Sequence, residues 1–61
     1  MKVSELVKLL TQNQCYLVEH GKEHDKWYSR LTGKNFRVPR HKNRELPTGT
    51  ANNILKDAGL K

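Results

Sequence analysis

Apolar residues near the N-terminus recur with the spacing of one helix face. The i, i+3, i+4, i+7 pattern is carried by Val3, Leu6, Val7 and Leu10. Ser4 is suited to cap this segment, and the polar run at positions 11–14 interrupts its periodicity. The pattern therefore predicts a first helix that begins near Ser4 and buries its apolar side.

The middle of the chain predicts strands, because short runs of strand-forming residues are separated by turn formers. Residues 15–19 (CYLVE) form the first run, which ends before Gly21. Residues 24–29 (HDKWYS) alternate between the two faces of a strand, and residues 35–38 (NFRV) form a third run that stops at Pro39. Tight connections between such short strands predict an antiparallel meander.

The C-terminal segment returns to helical spacing, with Thr50 as its expected cap. The buried face is predicted to consist of Ala51, Ile54, Leu55 and Ala58. Gly59 stands where a left-handed C-terminal residue is favoured, and Leu60 can fold back on the last turn. The α-β-β-β-α order predicts an α+β fold with two helices on one face of a three-stranded antiparallel sheet, the order of a double-stranded-RNA-binding domain.

Charge is the first indication of function. The 61 residues, expected to form a single domain over 1–61, contain 12 Lys and Arg against 6 Asp and Glu, for a net charge of +6. So positive a surface attracts polyanions, which favours a nucleic-acid partner over the alternative that the charge serves only solubility.

A membrane is disfavoured as a partner, because the sequence has no apolar run of spanning length and no long basic amphipathic helix. Cys15, the only cysteine, excludes an internal disulfide and indicates a cytoplasmic protein.

Strand parity separates His24 from its neighbours. In an extended strand His24 shares one face with Lys26 and Tyr28, while Trp27 points to the other. We expect Trp27 in the core beneath the helices, which leaves His24 on the open face beside a cation and a hydroxyl. Histidine transfers protons near neutral pH, as RNA cleavage requires. A solvated histidine without a role is the alternative.

The remaining polar residues do not predict a metal site or any other cofactor. His20 precedes Gly21 and is interpreted as a turn residue, and Cys15 is far along the chain from His41. The adjacent residues 23–25 (EHD) alternate faces of a strand and cannot converge on one ion.

A basic loop at residues 40–44 (RHKNR) precedes the second helix, whose N-terminal amides favour anions. A charged loop that is merely solvated is the competing interpretation. The side chains that we expect to contact RNA are Lys22, Lys26, Tyr28, Arg40, His41, Lys42 and Arg44.

Several short motifs stand in a fixed order along nearly the whole chain. They are His24 with Trp27, Val38-Pro39-Arg40-His41, Glu45-Leu46, Gly49-Thr50, Ile54-Leu55 and Ala58-Gly59-Leu60. This ordered set resembles the HicA family of bacterial toxins. The chain departs from that family at Lys22-Glu23, where a small pair such as Gly-Ser commonly precedes the histidine.

The resemblance implies an mRNA interferase, a metal-independent endoribonuclease with His24 as its catalytic residue. It further implies a HicB-type antitoxin as partner, with the toxin monomeric when free and part of a hetero-oligomer when neutralised. Two alternatives stay open. One is a non-catalytic module of the double-stranded-RNA-binding type, and the other is an interaction protein whose basic face meets an acidic partner.

Overall fold

The computed structural model describes every residue from Met1 to Lys61. Helix α1 spans Val3–Gln12, strands β1, β2 and β3 span Cys15–Glu19, His24–Ser29 and Asn35–Pro39, and helix α2 spans Thr48–Ala58. The strands form one antiparallel sheet in the order β1-β2-β3. The predicted α+β class and element order are confirmed. Neither helix is long and apolar enough to span a membrane.

The core lies between the two helices and one face of the sheet. Trp27 of β2 pairs with Leu17 on one side and Phe36 on the other, which puts these three residues on the same face. Trp27 is only 7% exposed, so its predicted place in the core is confirmed. The helices contribute the buried residues that their spacing predicted, namely Val3, Leu6 and Leu10 from α1 and Ala51, Ile54 and Ala58 from α2.

Helix α1 is not capped by Ser4, so that prediction is wrong. The helix begins at Val3 with Lys2 as its N-cap residue, and no side chain caps it. The amides of Val3 and Ser4 instead donate to the carbonyl oxygens of Arg44 and Lys42, each at 3.0 Å. Backbone groups from a distant loop therefore satisfy the free amides that a capping side chain normally serves.

Helix α2 begins earlier than expected, and Thr50 is not its cap. The N-cap residue is Pro47, and its carbonyl accepts a hydrogen bond from the Ala51 amide at 3.0 Å. Thr50 therefore lies within the first turn. The end of the helix is as predicted, because Gly59 has a φ of 85° and the Leu60 amide donates to the Leu55 carbonyl at 2.8 Å.

Strand β3 includes Pro39, which was expected to stop it. Pro39 pairs with His24, and it is tolerated because β3 is an edge strand that needs no further donor on its outer side.

The turn after β2 is fastened to the end of α2. The Ser29 hydroxyl donates to the Ala58 carbonyl at 2.6 Å and accepts from the Leu31 amide at 3.2 Å. Thr32 adds a hydrogen bond from its hydroxyl to the Asp57 carbonyl at 2.8 Å. These bonds hold α2 against the sheet at the end opposite to His24.

Candidate functional site

The face of the sheet that the helices leave open carries rows of cross-strand partners. In the first row Tyr28 pairs with Tyr16 and Asn35. In the second row Lys26 pairs with Glu19 and Arg37, and in the third His24 pairs with Pro39. A β-bulge between Leu17 and Glu19 shifts the register of β1 at the second row. The prediction that His24, Lys26 and Tyr28 share the open face is confirmed.

His24 is exposed and lies between two open clefts. The first has a volume of about 480 Å³ and is formed by the β1–β2 turn together with Lys26 and Arg37. The second, of about 270 Å³, runs between β3 and α2 and is lined by Arg37, Asn53 and Asp57, among others. A ligand in either cleft can therefore reach the imidazole of His24.

Arg37 lines both clefts, yet it was not among the residues predicted for the site. The alternation of Phe36 and Val38 with Arg37 already indicated that the arginine faces away from the core. Its position beside Lys26 depends on the pairing of β2 with β3, which no local pattern reveals.

The first cleft is weakly positive. Its ionised side chains are three cations and two carboxylates, a sum of +1 with the histidines neutral: Lys22, Lys26, Arg37, Glu19 and Glu23. The ion pairs of the protein involve none of these three cations. Their charges are thus available to a phosphate.

The turn between β1 and β2 is built around the carboxylate of Asp25. Its Oδ1 lies 3.2 Å from Nδ1 of His20 and 3.3 Å from Nε of Arg40, and it accepts a hydrogen bond from the Gly21 amide at 3.3 Å. Arg40 also donates through Nη1 to the Gly21 carbonyl at 2.8 Å, and through its amide to the Glu23 carbonyl at 3.1 Å. His20 is therefore a turn residue with a carboxylate partner, and Arg40 is tied to the turn that precedes His24.

Gly21 allows this turn to close tightly on His24. A Cβ at Gly21 would lie 2.1 Å from the carbonyl oxygen of His24, far inside van der Waals contact. Lys22 and Glu23, which replace the small pair common in the resembled family, are both exposed and meet no such restriction. The small residue that the turn needs thus stands at Gly21.

The basic loop lies against the N-terminus of α1, where it supplies the carbonyl groups described above. The side chains of His41, Lys42 and Arg44 are exposed. Lys42 and Arg40 line a separate cleft on the helical side with Val7 and Trp27. The structure therefore brings Lys22 and Lys26 into one cleft with His24, but not the basic loop.

The side chains present do not form a metal site, since no three of the His, Cys, Asp and Glu residues come close enough to hold an ion.

A family model described as the HicA toxin of bacterial toxin–antitoxin systems matches residues 3–60, which include all five helices and strands and His24. The chain belongs to the HicA toxin family. No curated protein and no solved structure matches it. As a HicA toxin, the protein is one half of a toxin–antitoxin pair, and an antitoxin is its partner.

Proposed function

We propose that this HicA toxin is a cytoplasmic endoribonuclease that cleaves mRNA without a metal ion, with His24 as its proton-transfer group. The observation that supports this proposal is the position of His24 in a chain of the HicA family. His24 is exposed on the open face, between two clefts and beside Lys26 and Arg37.

The chemistry is an internal displacement at phosphorus. The ribose 2′-oxygen attacks the adjacent phosphate, the bond from phosphorus to the 5′-oxygen breaks, and the products carry a 2′,3′-cyclic phosphate and a 5′-hydroxyl. His24 takes the proton from the 2′-hydroxyl or gives one to the leaving oxygen, and solvent water carries out the other of these two proton transfers. Lys26 and Arg37 stabilise the charge that develops on the phosphate, because both line the cleft beside His24 and neither is ion-paired.

The reaction is expected to be slow. General acid–base assistance by one group typically contributes about 10²- to 10⁴-fold, and His24 is the single histidine on the open face. His20 borders the same cleft, but one of its ring nitrogens already faces Asp25 at 3.2 Å. A slow nuclease can still arrest growth when nothing inhibits it.

The partner that we propose is a HicB-type antitoxin with acidic groups that meet the positive open face and cover His24. The toxin is monomeric when free and forms a hetero-oligomer with this partner. A net charge of +6 on 61 residues speeds the encounter of such a pair by electrostatic steering.

Replacement of His24 tests the catalytic assignment. His24→Ala should abolish both growth arrest and RNA cleavage in a toxin expressed without its antitoxin, while circular dichroism shows an unchanged fold. His20→Ala and His41→Ala are the matched controls, since both remove an exposed imidazole. We expect His20→Ala to be nearly silent and His41→Ala to weaken only RNA or antitoxin contacts. Full toxicity of His24→Ala would show the assignment to be wrong.

The competing function is an RNA-binding module that cuts nothing, which the double-stranded-RNA-binding element order favours. Purified wild-type protein distinguishes the two, because a module binds RNA in a salt-dependent way and leaves it intact. A third possible function is that of an interaction protein, whose basic face binds only an acidic protein partner. In that case the purified protein should show no measurable binding to RNA.

A further inference from the structure

We propose that Tyr16 and Tyr28 form a stacking platform for an unpaired base, so that the open face accepts single-stranded RNA. This inference rests on the proposed action on RNA and specifies the form of RNA that the site takes.

The two tyrosines form an open aromatic surface on the sheet. They are cross-strand partners whose ring centroids lie 5.5 Å apart at an interplanar angle of 51°. Tyr16 is 50% exposed and Tyr28 is half-buried, whereas the other aromatic residues, Trp27 and Phe36, belong to the core on the opposite face. Half of the Tyr16 surface is thus left to solvent, where a flat apolar ligand can cover it. Nucleic-acid bases stack on such rings whatever their sequence.

Positive charge continues from the platform toward His24. Lys26 lies two residues from Tyr28 along β2, about 7 Å away, and His24 lies about 13 Å away. Arg37 stands opposite Lys26, and neither cation forms an ion pair with a carboxylate. A phosphate chain can therefore run across Lys26 and Arg37, with a base on the tyrosines at one end and a ribose beside His24 at the other.

This arrangement suits one strand of RNA rather than two. In a duplex the faces of the bases are stacked on one another, so the exposed tyrosine rings find no free base face to contact. The cations form a narrow row, because Glu19 stands beside Lys26 and Glu23 lines the same cleft. Two phosphate chains would bring one of them against these carboxylates.

The test uses an RNA that the protein cannot cleave, so that binding is measured independently of catalysis. The probe is a 2′-O-methyl oligonucleotide that carries 2-aminopurine, used as a single strand and in a blunt duplex. Wild-type protein should bind the single strand more tightly and quench its fluorescence. Tyr16→Ile and Tyr28→Ile should weaken that binding by about 5- to 150-fold, since stacking is typically worth about 1–3 kcal/mol per base.

The substitutions are chosen to keep the protein folded. Isoleucine retains strand propensity and apolar area but removes the ring, and Tyr16→Phe and Tyr28→Phe, which keep it, should bind like wild type. Val18→Thr changes an exposed residue of the same strand that has no cross-strand partner in the register, and it should also be neutral.

Three results would overturn the platform: wild-type affinity in both isoleucine variants, equal affinity for strand and duplex, or no binding to either probe. If the isoleucine variants lose antitoxin binding but keep single-strand binding, the face belongs to a protein partner. The nuclease assignment is tested separately, by His24→Ala and cleavable RNA. Wild-type affinity in the isoleucine variants, or equal affinity for strand and duplex, would leave it standing, whereas no binding to either probe would count against both proposals.

Discussion

Arg40 and Asp25 hold the end of β3 to the turn that precedes His24. Nε of Arg40 lies 3.3 Å from Oδ1 of Asp25, and Nη1 of the same guanidinium donates to the Gly21 carbonyl at 2.8 Å. The two residues are 15 positions apart in the sequence, and their contact fixes the path of the chain on both sides of His24. Arg40 thus has a structural task apart from the RNA contact expected of it.

Replacement of Arg40 should therefore affect catalysis more than binding. Arg40→Ala is expected to lower the melting temperature and to reduce kcat by about 10- to 100-fold, because a catalytic group that is displaced by about 1 Å can lose that much rate. KM should change little. Lys42→Ala is the matched control, since it removes an exposed cation of the same loop and should raise KM without lowering stability. If Arg40→Ala instead raises KM without lowering kcat or the melting temperature, and Lys42→Ala lowers both, Arg40 acts only as an RNA contact.

The close approach of Gly21 to His24 predicts a sharp difference between two glycines. Gly21→Ala places a methyl group 2.1 Å from the His24 carbonyl oxygen, so the turn must shift. We expect a loss of about 1–3 kcal/mol in the free energy of unfolding, together with loss of cleavage. Gly49→Ala should be neutral or stabilising by up to about 1 kcal/mol, because Gly49 is in α2 with no atom within 4 Å of an added Cβ. Urea denaturation of both variants provides the measurement.

The buried hydroxyl of Ser29 should matter for stability and not for chemistry. Ser29 is fully buried, and its hydroxyl serves the Ala58 carbonyl and the Leu31 amide. Ser29→Ala removes this partner from the Ala58 carbonyl and the Leu31 amide, and it should lower the free energy of unfolding by about 1–3 kcal/mol. Ser4→Ala removes an exposed hydroxyl that caps nothing and should change stability by less than about 0.5 kcal/mol. Equal melting temperatures for the two variants would contradict this role of Ser29.

The sequence was sufficient for the features that depend on local periodicity. Spacing of three and four residues identified the buried faces of both helices. Alternation along β2 placed His24 on the face of the sheet opposite to that of Trp27. The left-handed Gly59 was also predictable, because glycine adopts that conformation without steric cost.

Three features that the sequence could not supply depend on contacts between distant segments. Ser4 has the chemistry of a cap, but the carbonyl groups of Lys42 and Arg44 already occupy the amides at the start of α1. Arg37 reaches the site only through the pairing of β2 with β3. Arg40 was assigned by its charge, whereas its position is decided by Asp25, a partner that charge patterning does not reveal.

Cleavage is expected to continue in the presence of EDTA. The side chains of the protein do not group into a metal site, and the proposed displacement needs only proton transfer and positive charge at the phosphate. The products should carry a 2′,3′-cyclic phosphate and a 5′-hydroxyl, which mass spectrometry of the fragments can identify. Activity that disappears with EDTA and returns with one added divalent ion would falsify this mechanism, and a 5′-phosphate would indicate attack by water.

The antitoxin should cover the open face of the sheet rather than the helices. Acidic groups are drawn to the cations beside His24, so at exchange times too short for global unfolding, binding should slow hydrogen exchange in residues 20–26 and leave α1 unchanged. Lys26→Glu should weaken the complex strongly, whereas Lys8→Glu, the same change on α1, should not.

The complex should also be more stable than the free toxin. At an antitoxin concentration about 100 times Kd, the free energy of unfolding of the toxin should rise by about 2.7 kcal/mol, since binding favours the folded form. For a domain of this size that gain corresponds to roughly 10–20 °C in Tm. Protection confined to α1 and α2, with residues 20–26 exchanging as in the free toxin, would mean that the antitoxin inhibits without covering His24.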